Sequence, residues 1–301
     1  MCRSHFKETR MGEFFALAAA MIWASAVILF KKSGDTIAPF ALNLFRVVIS
    51  LMVFLPLLLL SGQGIFRDAP LGDYLILALS GLLGIALSDT FFHRALNTIG
   101  AGLTAIVDTL YSPFIVLFAF IILGERPGLQ QYGGMVLVAG AVFLASRAKR
   151  PEGMSLRTLL IGMFWGMMAM ATVGLSIVIA KPVLEKHPVI WATSMRQVAS
   201  ILIMLPVALL SPKRRQILAV FKPTRSWRYS LPGTLLGSCL ALLFWIGGMK
   251  YTQASTAAIL NQTSTLYVLI LATIFLHEPF TKRKMFAAAL ALGGILLVTT
   301  A

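Results

Sequence analysis

A small set of ionisable side chains lies inside long apolar stretches of the chain, where such groups are costly and usually functional. Asp89 and His93 are four positions apart, so a helix places them on one face. Asp108 shares a helical face with Thr104 and Tyr111. A carboxyl group in these surroundings can exchange a proton or hold a cationic group of a ligand. For Asp89, a structural pair with His93 or a nearby arginine is the alternative.

Further polar and aromatic side chains lie in other apolar stretches. Asn261 and Gln262 begin a polar run, 261–265, that lipid cannot hydrogen-bond, so we expect this run to line a cavity or to bond neighbouring helices. Tryptophan and tyrosine side chains could form a wall that binds planar or cationic ligands, or they could pack between helices. These aromatic residues are Trp23, Tyr111, Trp165, Trp245 and Tyr267.

The composition places these residues in a membrane. Of 301 residues, 58% are hydrophobic and 12% are charged, and the mean hydropathy is +0.86. Soluble domains carry about 25% charged residues, so most of this chain is expected to face lipid or other helices. The net charge of +15 comes from lysines and arginines that lie mainly in short loops, where they meet anionic lipid head groups. A lipid bilayer is therefore the expected partner, and no nucleic acid is expected.

Several apolar stretches have the length of a membrane-crossing helix. Such a helix needs about 20 residues, whereas the strands of a membrane barrel would alternate polar and apolar residues over about 10 positions. These stretches do not alternate, so the sequence predicts an all-α membrane protein with ten transmembrane helices. The stretches are 12–30, 38–61, 73–93, 98–123, 131–146, 158–180, 188–210, 229–249, 254–276 and 284–300.

The second half of the chain repeats the first. Glu125 and Glu278 end matching segments at an offset of 278 − 125 = 153, and Arg46 and Arg196 match at an offset of 196 − 46 = 150. Each half holds five stretches, and because five is odd the second half must enter the membrane from the opposite side. Such inverted repeats are common in secondary transporters. The predicted five-helix repeats are 12–146 and 158–300.

Arg46 and Arg196 lie inside the second helix of each predicted repeat. Long basic side chains at such positions are expected to snorkel to the membrane interface or to cap a neighbouring helix end. A salt bridge that gates a pathway is the alternative.

Motifs in both halves resemble an EamA domain of the drug/metabolite transporter superfamily. In the first half they are Gly-Leu-Leu-Gly at 81–84, the Ala-Leu-to-Ala-Gly pattern over 95–102, and Gly-Glu-Arg-Pro at 124–127. In the second half they are the glycines at 233 and 237, Tyr-Thr at 251–252, residues 254–257 and His-Glu-Pro at 277–279. The resemblance covers nearly the whole chain. It implies a ten-helix transporter of two EamA domains with a central cavity, and it says little about the substrate.

These features predict a secondary transporter that moves a small amino-acid-like or drug-like molecule by alternating access, as an exporter in view of the family. Asp89 and Asp108 are the predicted carriers of a coupled proton. The residues predicted to line the substrate pathway are Trp23, Asp89, His93, Asp108, Tyr111, Trp165, Trp245, Asn261, Gln262 and Tyr267.

The alternatives are a membrane-embedded enzyme and a structural or sensory membrane protein without transport. An enzyme would need a nucleophile–base pair or a metal cluster, but the four histidines are scattered and the sequence has no such motif. We therefore predict no catalytic residues, no metal and no cofactor.

The protein is expected to be a multi-pass integral membrane protein, in the plasma (inner) membrane if it is bacterial, and able to work as a monomer. Either Met1 or Met11 is the start. We expect the first stretch to be retained rather than cleaved, since its loss would leave one repeat a helix short. Cytoplasmic loops are usually richer in lysine and arginine, and by this rule the loops of this chain favour both termini on the outer side of the membrane. The family resemblance favours both termini on the cytoplasmic side.

Overall fold

The computed structural model describes residues 2–62, 64–65, 67–147, 154–251 and 260–300, which form helices and short connections without a β-strand. The α-helices are α1 (Cys2–Gly34), α2 (Pro39–Leu60), α3 (Leu71–Gly81), α4 (Ser88–Asp108), α5 (Tyr111–Phe118), α6 (Leu129–Ser146), α7 (Leu156–Lys186), α8 (Val189–Leu210), α9 (Arg214–Leu218), α10 (Trp227–Thr234), α11 (Ala241–Tyr251), α12 (Ser264–Leu276) and α13 (Lys282–Thr299). The π-helical turns are Leu82–Leu87, Ala119–Leu123 and Leu235–Leu240, and Ala219–Phe221 is a 3₁₀ turn.

Seven helical segments of the described residues are long and apolar enough to cross a membrane. They are Arg10–Gly34, Pro39–Leu60, Leu71–Asp108, Leu129–Ser146, Leu156–Lys186, Val189–Leu210 and Trp227–Gly248. The predicted all-helical, multi-pass membrane character is thereby confirmed. The exact count of ten crossings stays a prediction, because Tyr111–Leu123 and Leu260–Leu276 are shorter and α13 begins with three basic residues in four.

The break between the third and fourth predicted stretches lies later in the chain than expected. The sequence predicts a loop around Arg94 and Asn97, but both residues are helical. The Arg94 guanidinium packs over the Trp165 ring at 4.7 Å, and the Asn97 side chain donates to the carbonyl of Gly34 at 3.2 Å. The chain instead bends at Gly100, whose φ of 81° and ψ of 174° are accessible essentially to glycine alone.

The internal repeat is visible in the backbone as well as in the sequence. The π-helical turns that begin at Leu82 and Leu235 are 235 − 82 = 153 positions apart. Gly124 and His277, at the same offset, both adopt a left-handed conformation where a helix of each copy ends, with φ of 70° and 54°. In both copies, therefore, a π-helical turn interrupts one helix and a left-handed residue follows the end of another.

Glycines allow α7 to pack closely against α4. A Cβ at Gly166 would lie 2.7 Å from Cγ1 of Val107, and a Cβ at Gly162 would overlap the side chain of Ile99. These two glycines form the small-xxx-small spacing that suits close contact between membrane helices. The largest apolar cluster of the described residues is built around this contact and α1.

A carboxylate links the two copies at one end of the bundle. Glu278, which follows α12, accepts hydrogen bonds from the backbone N–H groups of Ala101 at 2.6 Å and Gly102 at 3.0 Å. Nζ of Lys284 lies 3.7 Å from the same carboxylate. These N–H groups follow the bend at Gly100 and begin a new helical run, where a negative charge is favourable. We call this end of the bundle the capped end.

The corresponding acid of the first copy lies at the opposite end, where α7 is followed by α8. There Glu125 accepts from Lys181 at 2.8 Å, and both side chains are about half exposed, at 52% and 48%. We call this end the α7–α8 end. The repeat counterparts of Ala101 and Gly102, residues 254 and 255, lie outside the described residues.

Candidate functional site

A cavity of about 730 Å³ lies between the two copies. It reaches from the interior of the bundle to Leu184 and Val189, which are close to the helix boundaries at the α7–α8 end. Its wall is mostly apolar and aromatic, with a few charged and polar groups. The lining residues are Trp23, Arg46, Val47, Ser50, Ile85, Asp89, Tyr111, Ile177, Leu184, Val189, Thr193, Arg196, Gln197, Gly237, Ser238, Leu242, Trp245 and Ile246.

Arg46 is held by polar groups from both copies. Its Nε and Nη2 donate to Oγ of Ser238 at 3.2 and 3.0 Å, and its Nη1 donates to Nε2 of His93 at 2.9 Å. Oδ2 of Asp89 lies 3.5 Å from Nη1, and the guanidinium packs over the Phe30 ring at 4.6 Å. Because a guanidinium has no acceptor, Nε2 of His93 must accept this hydrogen bond, which places the ring proton on Nδ1.

These contacts correct the expectation that Arg46 snorkels to the membrane interface. Its side chain is buried, with the residue only 5% exposed, and its partners lie inside the bundle. Arg196 also lines the cavity. The two arginines lie far enough inside their helices for the guanidinium groups to meet polar groups of neighbouring helices before they reach water.

The π-helical turns supply part of the polar wall. Ser238, which accepts from Arg46, belongs to the turn Leu235–Leu240. In the first copy, Nδ2 of Asn43 donates to the carbonyl groups of Ile85 at 2.8 Å and Ala86 at 3.2 Å. A π-helical turn shifts backbone groups out of the α-helical register, and such turns are frequent at functional sites. The second turn thus places the Ser238 hydroxyl in the cavity wall, whereas the carbonyl groups of the first turn bond the buried Asn43.

Arg196 has different surroundings from Arg46. Its Nη2 donates to Oγ of Ser176 at 3.1 Å, and this is its only hydrogen bond to the described part of the chain. Ser176 is itself fixed by Ser80, since the two hydroxyl oxygens lie 3.0 Å apart and each also donates to the other's backbone carbonyl at 3.0 Å. A Cβ at Gly84 would overlap the Ser176 side chain and lie 3.0 Å from Nη2, so the glycine leaves room for the pair of Ser176 and Arg196.

The charges of the cavity do not cancel among the described residues. Asp89 is the only carboxylate of the lining, and it lies 3.5 Å from Arg46. Its repeat counterpart is Leu242, at 242 − 89 = 153, which also lines the cavity but carries no charge. Arg196 forms no salt bridge with a described residue. With Asp89 ionised, the described lining therefore carries one excess positive charge.

Asp108 lies outside the cavity lining, at the end of α4 and three positions before Tyr111. Its Oδ1 is buried and has no hydrogen-bond partner among the described residues. No cation of the described residues forms a salt bridge with it. A carboxyl group placed in this way loses its charge on binding a proton, which would remove an expensive unpaired ion from the bundle.

Of the ten residues predicted for the pathway, four line the cavity: Trp23, Asp89, Tyr111 and Trp245. The other six do not belong to the lining. His93 is fully buried behind Arg46.

The remaining residues of that prediction lie elsewhere in the bundle. Trp165 packs against Phe91, with ring centroids 5.2 Å apart, and Tyr267 packs against the largest apolar cluster. Asn261 and Gln262 are helical and partly buried, next to the residues that are not described. Their role in transport stays a prediction, as does that of Asp108.

Sequence reasoning did not place several polar residues in the pathway. Nε2 of Gln197 donates to Oγ of Ser50 at 3.0 Å across the cavity wall, and Oε1 of Gln197 is buried without a hydrogen-bond partner in the described chain. Thr193 and Ser238 complete this polar surface. Single serines, threonines and glutamines are common in apolar helices, so they give little signal. The matched positions of Arg46 and Arg196 in the two repeats were the sequence feature that could have indicated this polar surface.

The sequence model of the EamA-like transporter family matches residues 10–147 and 160–300. A relative from Archaeoglobus fulgidus, described as an uncharacterized transporter, is 22% identical over 283 residues, which are 94% of this chain and 96% of that protein. An uncharacterized transporter of Methanothermobacter thermautotrophicus is 25% identical over 229 residues, covering 75% of this chain and 64% of its own. One crystal structure has a TM-score of 0.67 at 19% identity and covers 96% of both chains, which supports the fold alone.

Proposed function

Because the chain belongs to the EamA-like transporter family, we propose that it is a secondary transporter that moves a small amino-acid-like or drug-like metabolite across the membrane. The observation that carries this proposal is the cavity of about 730 Å³ between the two copies. Sites for small molecules range from about 300 to 1,000 Å³, so the volume suits a metabolite. The proposed direction is export, in line with the resemblance described above.

Alternating access is the proposed mechanism. Ten crossings in two inverted copies would let one copy rock against the other and open the cavity to each side in turn. In the described conformation the cavity reaches toward the α7–α8 end, while Glu278 joins the copies at the capped end. Opening the capped end requires that Glu278 release the N–H groups of Ala101 and Gly102.

Proton coupling is a further part of this proposal. Asp89 lines the cavity and is 27% exposed at its side chain, so a proton can reach it from the cavity. A proton on Asp89 would free Arg46 from its counter-charge and change the electrostatics of the wall. Asp108 has a buried oxygen without a partner among the described residues, and it would carry a proton as a neutral carboxyl group.

The test is transport by the purified protein in vesicles, with radiolabelled amino acids, carboxylates and amines as substrates. Leu242→Trp should lower uptake about tenfold or more, because the indole would fill a metabolite-sized cavity. The matched control is Leu243→Trp on the same helix, where the leucine is 36% exposed and lies outside the lining. Equal uptake by both variants and the unmodified protein would show that the cavity is not the pathway.

The same vesicles test proton coupling. A pH gradient should accelerate uptake by the unmodified protein, and the acceleration should disappear in Asp89→Asn or Asp108→Asn. If both variants keep the full effect of the gradient, neither carboxyl group carries the coupled proton. If the gradient has no effect on the unmodified protein, the protein is an exchanger or a facilitator.

A further inference from the structure

We propose that the transported molecule is an organic anion whose carboxylate binds Arg196. This inference rests on the proposed function, since it names the class of substrate that the same cavity would take. The charges, the hydrogen-bond donors and the composition of the cavity wall support it.

The charge of the described lining favours an anion. Arg46 and Arg196 are the basic residues of the wall, and Asp89 is its carboxylate. Asp89 forms its salt bridge with Arg46, at 3.5 Å, and attracts Arg196 from a greater distance, so the two arginines share one compensating charge. A monoanionic ligand next to Arg196 would compensate the remaining one. A cationic ligand would add a second uncompensated positive charge in a low-dielectric space, which is unfavourable.

The guanidinium of Arg196 has unused donors. A guanidinium carries five N–H groups in a planar fork that matches the two oxygens of a carboxylate. The described chain uses one of the nitrogens, Nη2, through its hydrogen bond to Ser176 at 3.1 Å. Ser176 and Ser80 fix the guanidinium from the side of α7 and α3, so its orientation is set before a ligand binds. We therefore assign Ser176 a positioning role.

The cavity gives an ammonium group of the ligand no free partner. Asp89, which could hold such a group, is already shared with Arg46 and lies beside His93. A zwitterion would thus gain from Arg196 and lose at its ammonium end. The rest of the wall is supplied by Trp23, Trp245 and aliphatic side chains, which suit an apolar or aromatic body.

Two sets of matched probes test this inference in the detergent-purified full chain. The first set is 3-phenylpropanoate, phenylalanine and 2-phenylethylamine, which share a phenylethyl group and differ in the charged groups attached to it. The second is hexanoate, norleucine and pentylamine. Binding is measured as the rise in melting temperature with ligand concentration. In at least one set, we expect the carboxylate to bind about tenfold more tightly than the amine and more tightly than the amino acid.

Variants assign the effect to Arg196. Arg196→Gln should weaken carboxylate binding about tenfold or more, whereas Arg196→Lys should keep the preference for the carboxylate in a weaker form. Ser176→Ala should have a smaller effect in the same direction. The control is Arg157→Gln, which removes an exposed arginine outside the lining and should leave binding unchanged.

The inference is overturned if in both sets the amine binds as tightly as the carboxylate, if neither carboxylate binds, or if Arg196→Gln keeps the full carboxylate preference. These results are separable from a failure of the proposed function. Uptake of amines or zwitterions that Leu242→Trp blocks would keep the transporter and reject the anion. Carboxylates that bind through Arg196 but are never taken up would keep the binding site and reject transport.

Discussion

Two arginines at matching positions of the repeat differ in the groups that surround them. Arg46 lies between Asp89 and His93 and donates to Ser238 of the other copy. Arg196 has a hydroxyl group as its only described hydrogen-bond partner. A charged group inside a bilayer is expensive, and Arg196 has no salt-bridge partner in the described chain, so a bound anion would stabilise it more than it would stabilise Arg46.

The pair of Arg46 and Asp89 should show measurable coupling in stability. Removing Asp89 leaves a guanidinium that is 5% exposed without its counter-charge. We expect Asp89→Asn to lower the free energy of unfolding in detergent by about 1.5–3 kcal/mol, and the double variant Arg46→Gln/Asp89→Asn to lower it by less than the sum of the two single changes. Denaturant titration of the four proteins measures this coupling. Strict additivity would mean that the two groups do not interact.

The sequence predicts the type of site, a cavity with aromatic and charged walls, better than it predicts which residues form it. Asp89, Tyr111 and Trp23 stand out because charged and large aromatic side chains are conspicuous in apolar helices, and all three line the cavity. Trp165 is equally conspicuous in the sequence, but it packs beside Arg94. The rotation of its helix about the helix axis determines where the side chain points, and the sequence does not give that rotation. The partners of an arginine, here Ser238 and Ser176, depend on contacts between distant segments and cannot be read from local patterns.

In each copy, a left-handed residue follows the end of a helix: Gly124 after the turn Ala119–Leu123, and His277 after α12. Gly124 and His277 occupy equivalent left-handed positions, but only glycine adopts this conformation without steric cost. The exposed side chain of His277 forms no hydrogen bond or salt bridge that would offset that cost in the described structure. The second copy thus ends this helix with a strained residue.

Substitutions at these two positions should change the free energy of unfolding in opposite directions. His277→Gly should raise the free energy of unfolding by about 1 kcal/mol, because it relieves the left-handed strain, and Gly124→Ala should lower it by a similar amount. Thermal unfolding in detergent measures both. A destabilised His277→Gly would show that the imidazole makes a compensating contact.

Helix positions were accessible to sequence reasoning, whereas helix distortions were not. Six of the seven long apolar segments coincide with one predicted stretch each, because length and apolar content determine them, whereas Leu71–Asp108 runs through the third stretch and into the fourth. The sequence predicts a break between two helices at 94–97, but the helix continues and bends at Gly100, where the Glu278 carboxylate stabilises the freed N–H groups. The π-helical turns carry no sequence signal beyond a glycine, since the packing of neighbouring helices produces them.

Because Glu278 joins the two copies at the capped end, we expect it to control which end of the cavity is open. Replacing it by glutamine weakens the cap on Ala101 and Gly102, so the population should shift toward states in which the capped end opens. With Cys2 and Cys239 replaced by serine, a cysteine introduced at Thr193 reports access from the α7–α8 end. Its reaction with a membrane-impermeant thiol reagent should slow several-fold in Glu278→Gln.

Glu125→Gln is the matched control, because it changes the equivalent acid of the first copy. Glu125 is half exposed and pairs with Lys181 at the surface, so its loss should alter the labelling rate little. Similar rates in the unmodified protein and Glu278→Gln would exclude the cap as part of the gate. Inside-out and right-side-out vesicles distinguish labelling from the two sides.

The excess positive charge of the described lining has an electrical consequence. When the closed end of the bundle changes sides, the membrane voltage falls across a different part of the protein, and a charge in the cavity moves relative to that voltage. One elementary charge across the full field amounts to about 2.3 kcal/mol per 100 mV. Return of the empty protein should therefore depend on voltage through Arg196. While Asp89 stays ionised, a bound monoanion would cancel that charge and make the loaded step insensitive to voltage, so the membrane potential would act mainly on the return of the unloaded protein. A proton carried on Asp89 together with the anion would restore one positive charge and make the loaded step depend on voltage as well.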